Sequence, residues 1–177
     1  MEEAQANVPE KLREWIFGVW KTIAKGKKVN PKYQQSLGKV SEKTKEAVKK
    51  FYGKNVSKQI ITPQDLLHVY ERHGKYIKRE IADEQIPVNE DIAILIPDVL
   101  SNPDSIKESG LTGKDGYETI ILSKEYADGT VHVVEAILKN NILEVWTVYV
   151  WSREKAEKKR LAYGSPKTGS HNAIPPQ

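Results

Sequence analysis

The chain contains no cysteine among its 177 residues. Disulfides, thiol nucleophiles and thiolate-held metals are therefore excluded, and nothing in the composition points to an oxidising compartment. No apolar run approaches the roughly 20 residues that cross a bilayer as a helix. The start, Met1-Glu2-Glu3-Ala4, is acidic and lacks the basic-then-apolar layout of a signal peptide. A cytoplasmic site of action is expected, without membrane association. The chain also lacks a Gly-rich phosphate loop and a Gly-x-Ser-x-Gly elbow, which removes the commonest nucleotide-hydrolysing and serine-hydrolase arrangements. Histidine is scarce, at four residues, so any clustering of it carries information.

What is present suffices for a folded domain with or without an appendage: 38% of residues are apolar. The net charge of +4 is unevenly spread. Residues 1–57 hold 13 Lys/Arg against 6 Asp/Glu, and residues 58–177 hold 15 against 18. A basic N-terminal third suits either a phosphate-tracking surface or a solvated lysine-rich helix face.

Helical periodicity opens at Pro9 and runs through Leu12, Trp15, Ile16, Val19, Trp20 and Ile23, ending at Gly26. A second helical stripe follows Asn30-Pro31, through Tyr33, Leu37, Val40, Thr44, Ala47, Val48 and Phe51. It re-caps near 38–41 and closes at Gly53. Residues 1–57 thus read as a basic helical hairpin or N-terminal extension. Residues 56–62 form a short extended segment. Thr62-Pro63-Gln64-Asp65 then starts a helix over 63–74, with Gly74 as a left-handed terminator. Asn89 caps a further helix-turn region around Ile92, Ile94, Leu95 and Ile96, punctuated by Pro97 and Asn102-Pro103. Strands follow over 105–109, 117–125, 131–139 and 142–151. The fold class is α+β: N-terminal helices packed with a twisted antiparallel sheet of about four strands. A domain over 58–165 and an irregular tail over 166–177 complete the organisation.

Two-residue loops closed by Ala127 with Thr130 and by Lys139 with Ile142 set a register. His132 then opposes Tyr149 and Glu125, while Val134 opposes Thr147 and Ser123. By alternation Ser123, Glu125, His132, Thr147 and Tyr149 share one face with Ala136, Val145 and Ile121. Val131, Val133, Ile137, Trp146, Val148 and Val150 take the core face. Such a polar face is either a solvated sheet surface or a site. The 63–74 helix argues for a site, because it carries His68, Arg72 and His73. His68 and Arg72 are four apart and share a helix face. His68 and His73 are five apart, which places them on different faces, and no third ligand appears, so a metal site is not expected.

Several runs together resemble a known family. They are Ile60-Ile61-Thr62-Pro63, His68-Val69-Tyr70-Glu71-Arg72-His73-Gly74, Ile96-Pro97-Asp98-Val99-Leu100, Asn102-Pro103-Asp104 and Val145-Trp146-Thr147-Val148-Tyr149. Over about residues 56–165 they resemble the phage-associated members of the barnase–EndoU–colicin–RelE (BECR) nucleases. The resemblance implies a metal-independent, cofactor-free endoribonuclease, a phage- or toxin-associated effector that cleaves RNA by 2′-hydroxyl attack on the phosphodiester. Carried over by position, His73 and Thr147 are its active-site residues, with Arg72 and His68 beside them; His73, Arg72 and Thr147 are taken as catalytic, and His68, with Tyr149, His132 and Ser123 from the shared sheet face and Arg153 from the basic cluster, as contacting substrate. The implied partners are RNA, tRNA included, and a cognate immunity or antitoxin protein, with delivery as part of a larger phage or secreted protein. These residue types suit the reaction, which needs a base, an acid and donors for the charge that grows on phosphate oxygens. The acidic balance of residues 58–177 is at odds with RNA binding unless the N-terminal helices or the cluster Arg153, Lys155, Lys158, Lys159 and Arg160 supply a groove. Two alternatives stand beside this reading. One is a nucleic-acid- or partner-binding module without catalysis; in the other the N-terminal helices dock into a larger assembly.

Overall fold

A computed structural model describes residues 2–74, 85–111 and 115–162; the expected tail, 166–177, lies outside them. Helix α1 (Glu2–Ala24) begins before Pro9, since Glu, Ala and Gln in its first turns favour helix, and Pro9 lies inside it. Its inner stripe, Leu12, Ile16, Trp20 and Ile23, is buried. Gly26, at φ 75°, ends the helical run.

The second half of the expected helical hairpin is different. Residues 30–34 are not helical, and strand β1 (Gln35–Lys39) pairs antiparallel with β2 (Lys58–Ile61). The cause is local: Gly38 sits at φ 93°, outside helical space, and Ser41 then starts a new helix. Its hydroxyl accepts the Thr44 N–H at 3.2 Å, capping α2 (Glu42–Tyr52), which Gly53 closes at φ 69°.

Helix α3 (Pro63–Val69) follows β2 and continues as a π turn (Tyr70–Gly74). A reciprocal cap opens it: Asp65 N–H donates to Thr62 Oγ1 at 3.1 Å, and Thr62 N–H donates to Asp65 Oδ2 at 2.8 Å. Next come β3 (Gln85–Ile86), α4 (Glu90–Ala93) capped by Asn89, and α5 (Ile96–Ser101). The chain finishes its described part with β4 (Ser105–Leu111), β5 (Glu118–Tyr126), β6 (Gly129–Ile137), β7 (Ile142–Ser152) and α6 (Arg153–Ala162). None of the described helices is long and apolar enough to cross a membrane.

The architecture is α+β, with seven described strands in one sheet rather than about four. Six run in the order β1-β2-β7-β6-β5-β4, and β3 also pairs with β7. β1, β2 and β3 are five, four and two residues long, too short to display alternation in sequence. The sheet is also mixed, because β2 runs parallel to β7. The face carrying Ile120, Leu122, Val131, Val133, Val148 and Val150 is buried beneath a helical layer to which α1, α3, α4 and α5 contribute. That burial stabilises the fold by about 1.5–3 kcal/mol for each large side chain removed from water.

Both hairpins depart from two symmetric loops. The first closes Tyr126 on Gly129, so Ala127-Asp128 is the loop and His132 opposes Ser123, not Glu125. Glycine is required at 129 by close approach, since a Cβ there would lie 2.4 Å from the Trp151 carbonyl oxygen. The second loop is one residue longer than expected. Leu138 N–H donates to Ile142 O at 2.9 Å, and Asn141 takes the left-handed turn position at φ 62°. A bulge at Trp146, between the pairs Val134–Thr147 and Glu135–Val145, then restores the register. His132–Tyr149 and Val134–Thr147 therefore pair as expected. Val145 moves to the core face opposite Glu135, and Trp146 leaves the core ladder.

Candidate active site

The outer edge of β7 is occupied in three stages. β2 pairs with its start, at residues 142–144, and β3 with Val150 and Trp151. Between them α3 and the π turn run alongside the strand. Asp65 lies against Glu144, His68 faces Trp146 with ring centres 5.8 Å apart, and His73 faces Tyr149 at 6.0 Å. Burial and the neighbouring Glu144 carboxyl push the Asp65 carboxyl up. Both histidines reach β7, although five helical positions separate them. In a regular helix five residues rotate about 500°, leaving about 140° between side chains. The π turn closes hydrogen bonds five residues apart, and both rings meet β7.

His73 is anchored through its main chain, whose carbonyl accepts the Val88 N–H at 2.8 Å. Gly74 is not the left-handed terminator expected, as its φ is not positive. It is small because a Cβ would lie 3.3 Å from Trp20, from Tyr70 and from the Val88 carbonyl.

From the other side of Tyr149 comes His132. Its ring stacks on Tyr149 at 4.8 Å and meets the Trp151 ring edge-on at 4.3 Å. Its Nδ1 and Ser123 Oγ are hydrogen-bonded at 2.6 Å. Burial, and then the charges of Lys107 and Lys155, lower its pKa from 6.5 to about 4, so the ring is neutral at physiological pH. Its buried Nε2 has no hydrogen-bond partner among the described residues, and neither does the buried Thr147 Oγ1 two residues before Tyr149 on β7. Burial also raises the pKa of the Tyr149 phenol, which stays protonated as a donor. A buried polar atom without a partner costs about 1–3 kcal/mol, so the two single out this stretch of β7 as the candidate site.

The structure thus brings together His73, His132, Thr147, Tyr149 and Ser123. His68 stands apart, lower on β7 against Trp146. Arg72 is exposed on the π turn next to His73. Ser123 lies beneath the His132 ring and is buried, so it meets the histidine rather than solvent. Arg153 donates to the Ala127 carbonyl at 3.3 Å and lines an open cleft of about 870 Å³ between α6 and strands β4–β6. Lys107, Lys124, Lys159 and Arg160 also line this cleft, against Asp104, Glu125 and Glu157, and His132 and Trp151 form part of its wall. The cationic excess supplies locally what the overall acidic balance of residues 58–177 withholds. Trp151 was not among the expected site residues. Its place two positions beyond Tyr149, on the same face of β7, was the available signal.

Among the described residues no three His, Asp or Glu side chains gather as a metal-ligand set. No curated protein and no solved structure matches this chain. Residues 38–158 match the family described as phage-Barnase-EndoU-ColicinE5/D-RelE like nuclease 3. That span includes α2 through most of α6, and so starts earlier than the resemblance over 56–165. It contains His73, His132, Thr147 and Tyr149, and leaves α1 outside. With α1, α3, α4 and α5 over one sheet face and two histidines converging on the other, the chain belongs to this family of phage BECR-like nucleases.

Proposed function

We propose that this nuclease is a metal-independent endoribonuclease, acting as a phage- or toxin-associated effector in the cytoplasm. The observation that carries the reading is the convergence of His73 and His132 on opposite sides of Tyr149. Beside them lies the buried Thr147 hydroxyl, which has no hydrogen-bond partner among the described residues. In the reaction one imidazole takes the proton of a ribose 2′-hydroxyl. The 2′-oxygen attacks phosphorus, the bond to the 5′-oxygen breaks, and the other imidazole protonates that leaving oxygen. The products are a 2′,3′-cyclic phosphate and a 5′-hydroxyl. The Thr147 and Tyr149 hydroxyls donate to the phosphate oxygens as charge grows on them, and Arg72 supplies a fixed positive charge. Metal independence is supported by the side-chain set, which provides acid, base and donors from the chain itself.

The test is cleavage of labelled RNA by the purified chain in EDTA, with end-group analysis. Discrete cuts ending in 2′,3′-cyclic phosphate are expected, and His73→Ala or His132→Ala should slow them by about 10²–10⁴-fold. Cleavage only after Mg²⁺ is added would refute metal independence. Equal cutting of DNA, which lacks the 2′-hydroxyl, would refute the mechanism. RNA that binds with steep salt dependence yet stays intact would establish a non-catalytic binding module instead.

A further inference from the structure

Helix α1 lies entirely before the family match, which begins at residue 38, yet it reaches the site. Trp20 is 2% exposed and stands against the π turn. Its ring meets Tyr70 edge-on at 5.4 Å, at the first residue of the π turn. At the turn's last residue, a Cβ on Gly74 would lie 3.3 Å from the same ring. Beside the same point is the Val88 carbonyl, also 3.3 Å away, and the Val88 N–H holds the His73 carbonyl at 2.8 Å. The turn carrying His73 therefore meets Trp20 at both ends and Val88 at its last two residues.

We infer that Trp20 is a positioning residue of the nuclease, setting the π turn so that the His73 imidazole meets Tyr149. This rests on the reading of His73 as a reacting group. A π turn is an unfavourable insertion in an α-helix and persists where its surroundings hold it. Here Trp20 fills the space beneath the turn and the absent Cβ of Gly74 makes room for it. Without the indole ring, Tyr70 and Gly74 lose the surface they pack on, and the turn is free to relax toward regular α-helical winding. That relaxation rotates His73 away from Tyr149 without touching His132, which is held on the sheet by Ser123 and Trp151.

The experiment compares the full-length chain with Trp20→Leu, Trp20→Phe and Gly74→Ala. It reads kcat and KM on RNA, the melting curve, and the imidazole NMR resonances of His73 and His132. Trp20→Leu should lower kcat about 10–100-fold with KM nearly unchanged, as expected for a misplaced reacting group. The His73 resonance should move while that of His132 stays. Trp20→Phe should restore most of the rate. Gly74→Ala, which leaves α1 intact, should give the same pattern and decides the matter where Trp20→Leu does not fold. A folded Trp20→Leu or Gly74→Ala variant with unchanged kcat and an unmoved His73 resonance would overturn the inference. Wild-type protein that cuts no RNA would sink the endoribonuclease reading alone, because the His73 resonance still reports whether Trp20 positions the ring.

Discussion

At the residue scale the most constrained group is His132, stacked on Tyr149, edge-on to Trp151 and bonded through Nδ1 to Ser123. Its pKa of about 4 in the fold lies below its ordinary 6.5. Between those values the unfolded chain takes up a proton that the folded chain refuses. The stability tied to a neutral His132 is therefore fully present above pH 6.5 and is lost as pH falls toward 4. The shift corresponds to about 3 kcal/mol at full extent, of which burial is the main cause. Urea midpoints at pH 7 and pH 4.5 test this, with His132→Asn as the comparison. The wild type should lose markedly more stability on acidification than the variant, and equal losses would remove His132 as the source. The pairing of His132 with Tyr149 was legible in the sequence for an instructive reason. The longer loop at residues 139–141 shifts the register by one and the bulge at Trp146 shifts it back. Neither irregularity leaves a strong residue signature, so the residues between them, Val145 and Trp146, were placed on the wrong faces.

At the scale of elements, two helices serve the site by opposite means. α3 is held by burial, with Leu66 and Val69 in the core and a capping box at its start. These features were written plainly in Thr62-Pro63-Gln64-Asp65, whereas the π turn after it was not, since Tyr70–Gly74 carries no composition that distinguishes π from α winding. α6 is the reverse case, a helix with no buried residue, lying across the open side of the sheet next to Trp151 and His132. Lys155 sits over the Trp151 ring at 5.6 Å, and Ser152 Oγ accepts the Lys155 N–H at 3.1 Å. A helix polar all round gains little from packing, so its charge is its contribution. Replacing Arg153 and Lys159 together with Gln should weaken RNA binding while leaving the rate at saturating RNA close to wild type. The plot of log affinity against log salt should flatten by about 0.7 for each phosphate of a single strand that the protein no longer neutralises. An unchanged slope would place the RNA elsewhere than in the α6 cleft.

At the scale of the whole molecule the question is whether the basic N-terminal third is separable. Its charge suggested an appendage, and the family match starts only at residue 38. Charge, however, describes the solvent face of α1, and the buried stripe decides its role. Leu12, Ile16, Trp20 and Ile23 join the same core as Leu66, Ala93, Ile96 and Val148, while β1 extends the sheet from within residues 1–57. Elements that share one core unfold together, because neither side can keep its apolar surface covered alone. Ile16 is 0% exposed, so Ile16→Ala tests this with a single deletion of buried atoms. It should cost about 2–5 kcal/mol. The loss should appear at the same denaturant concentration whether unfolding is followed by helix signal or by the imidazole NMR resonance of His132, which reports on the sheet. An N-terminal docking element would behave differently: helix signal would be lost early, and the His132 resonance would change where it does in the wild type.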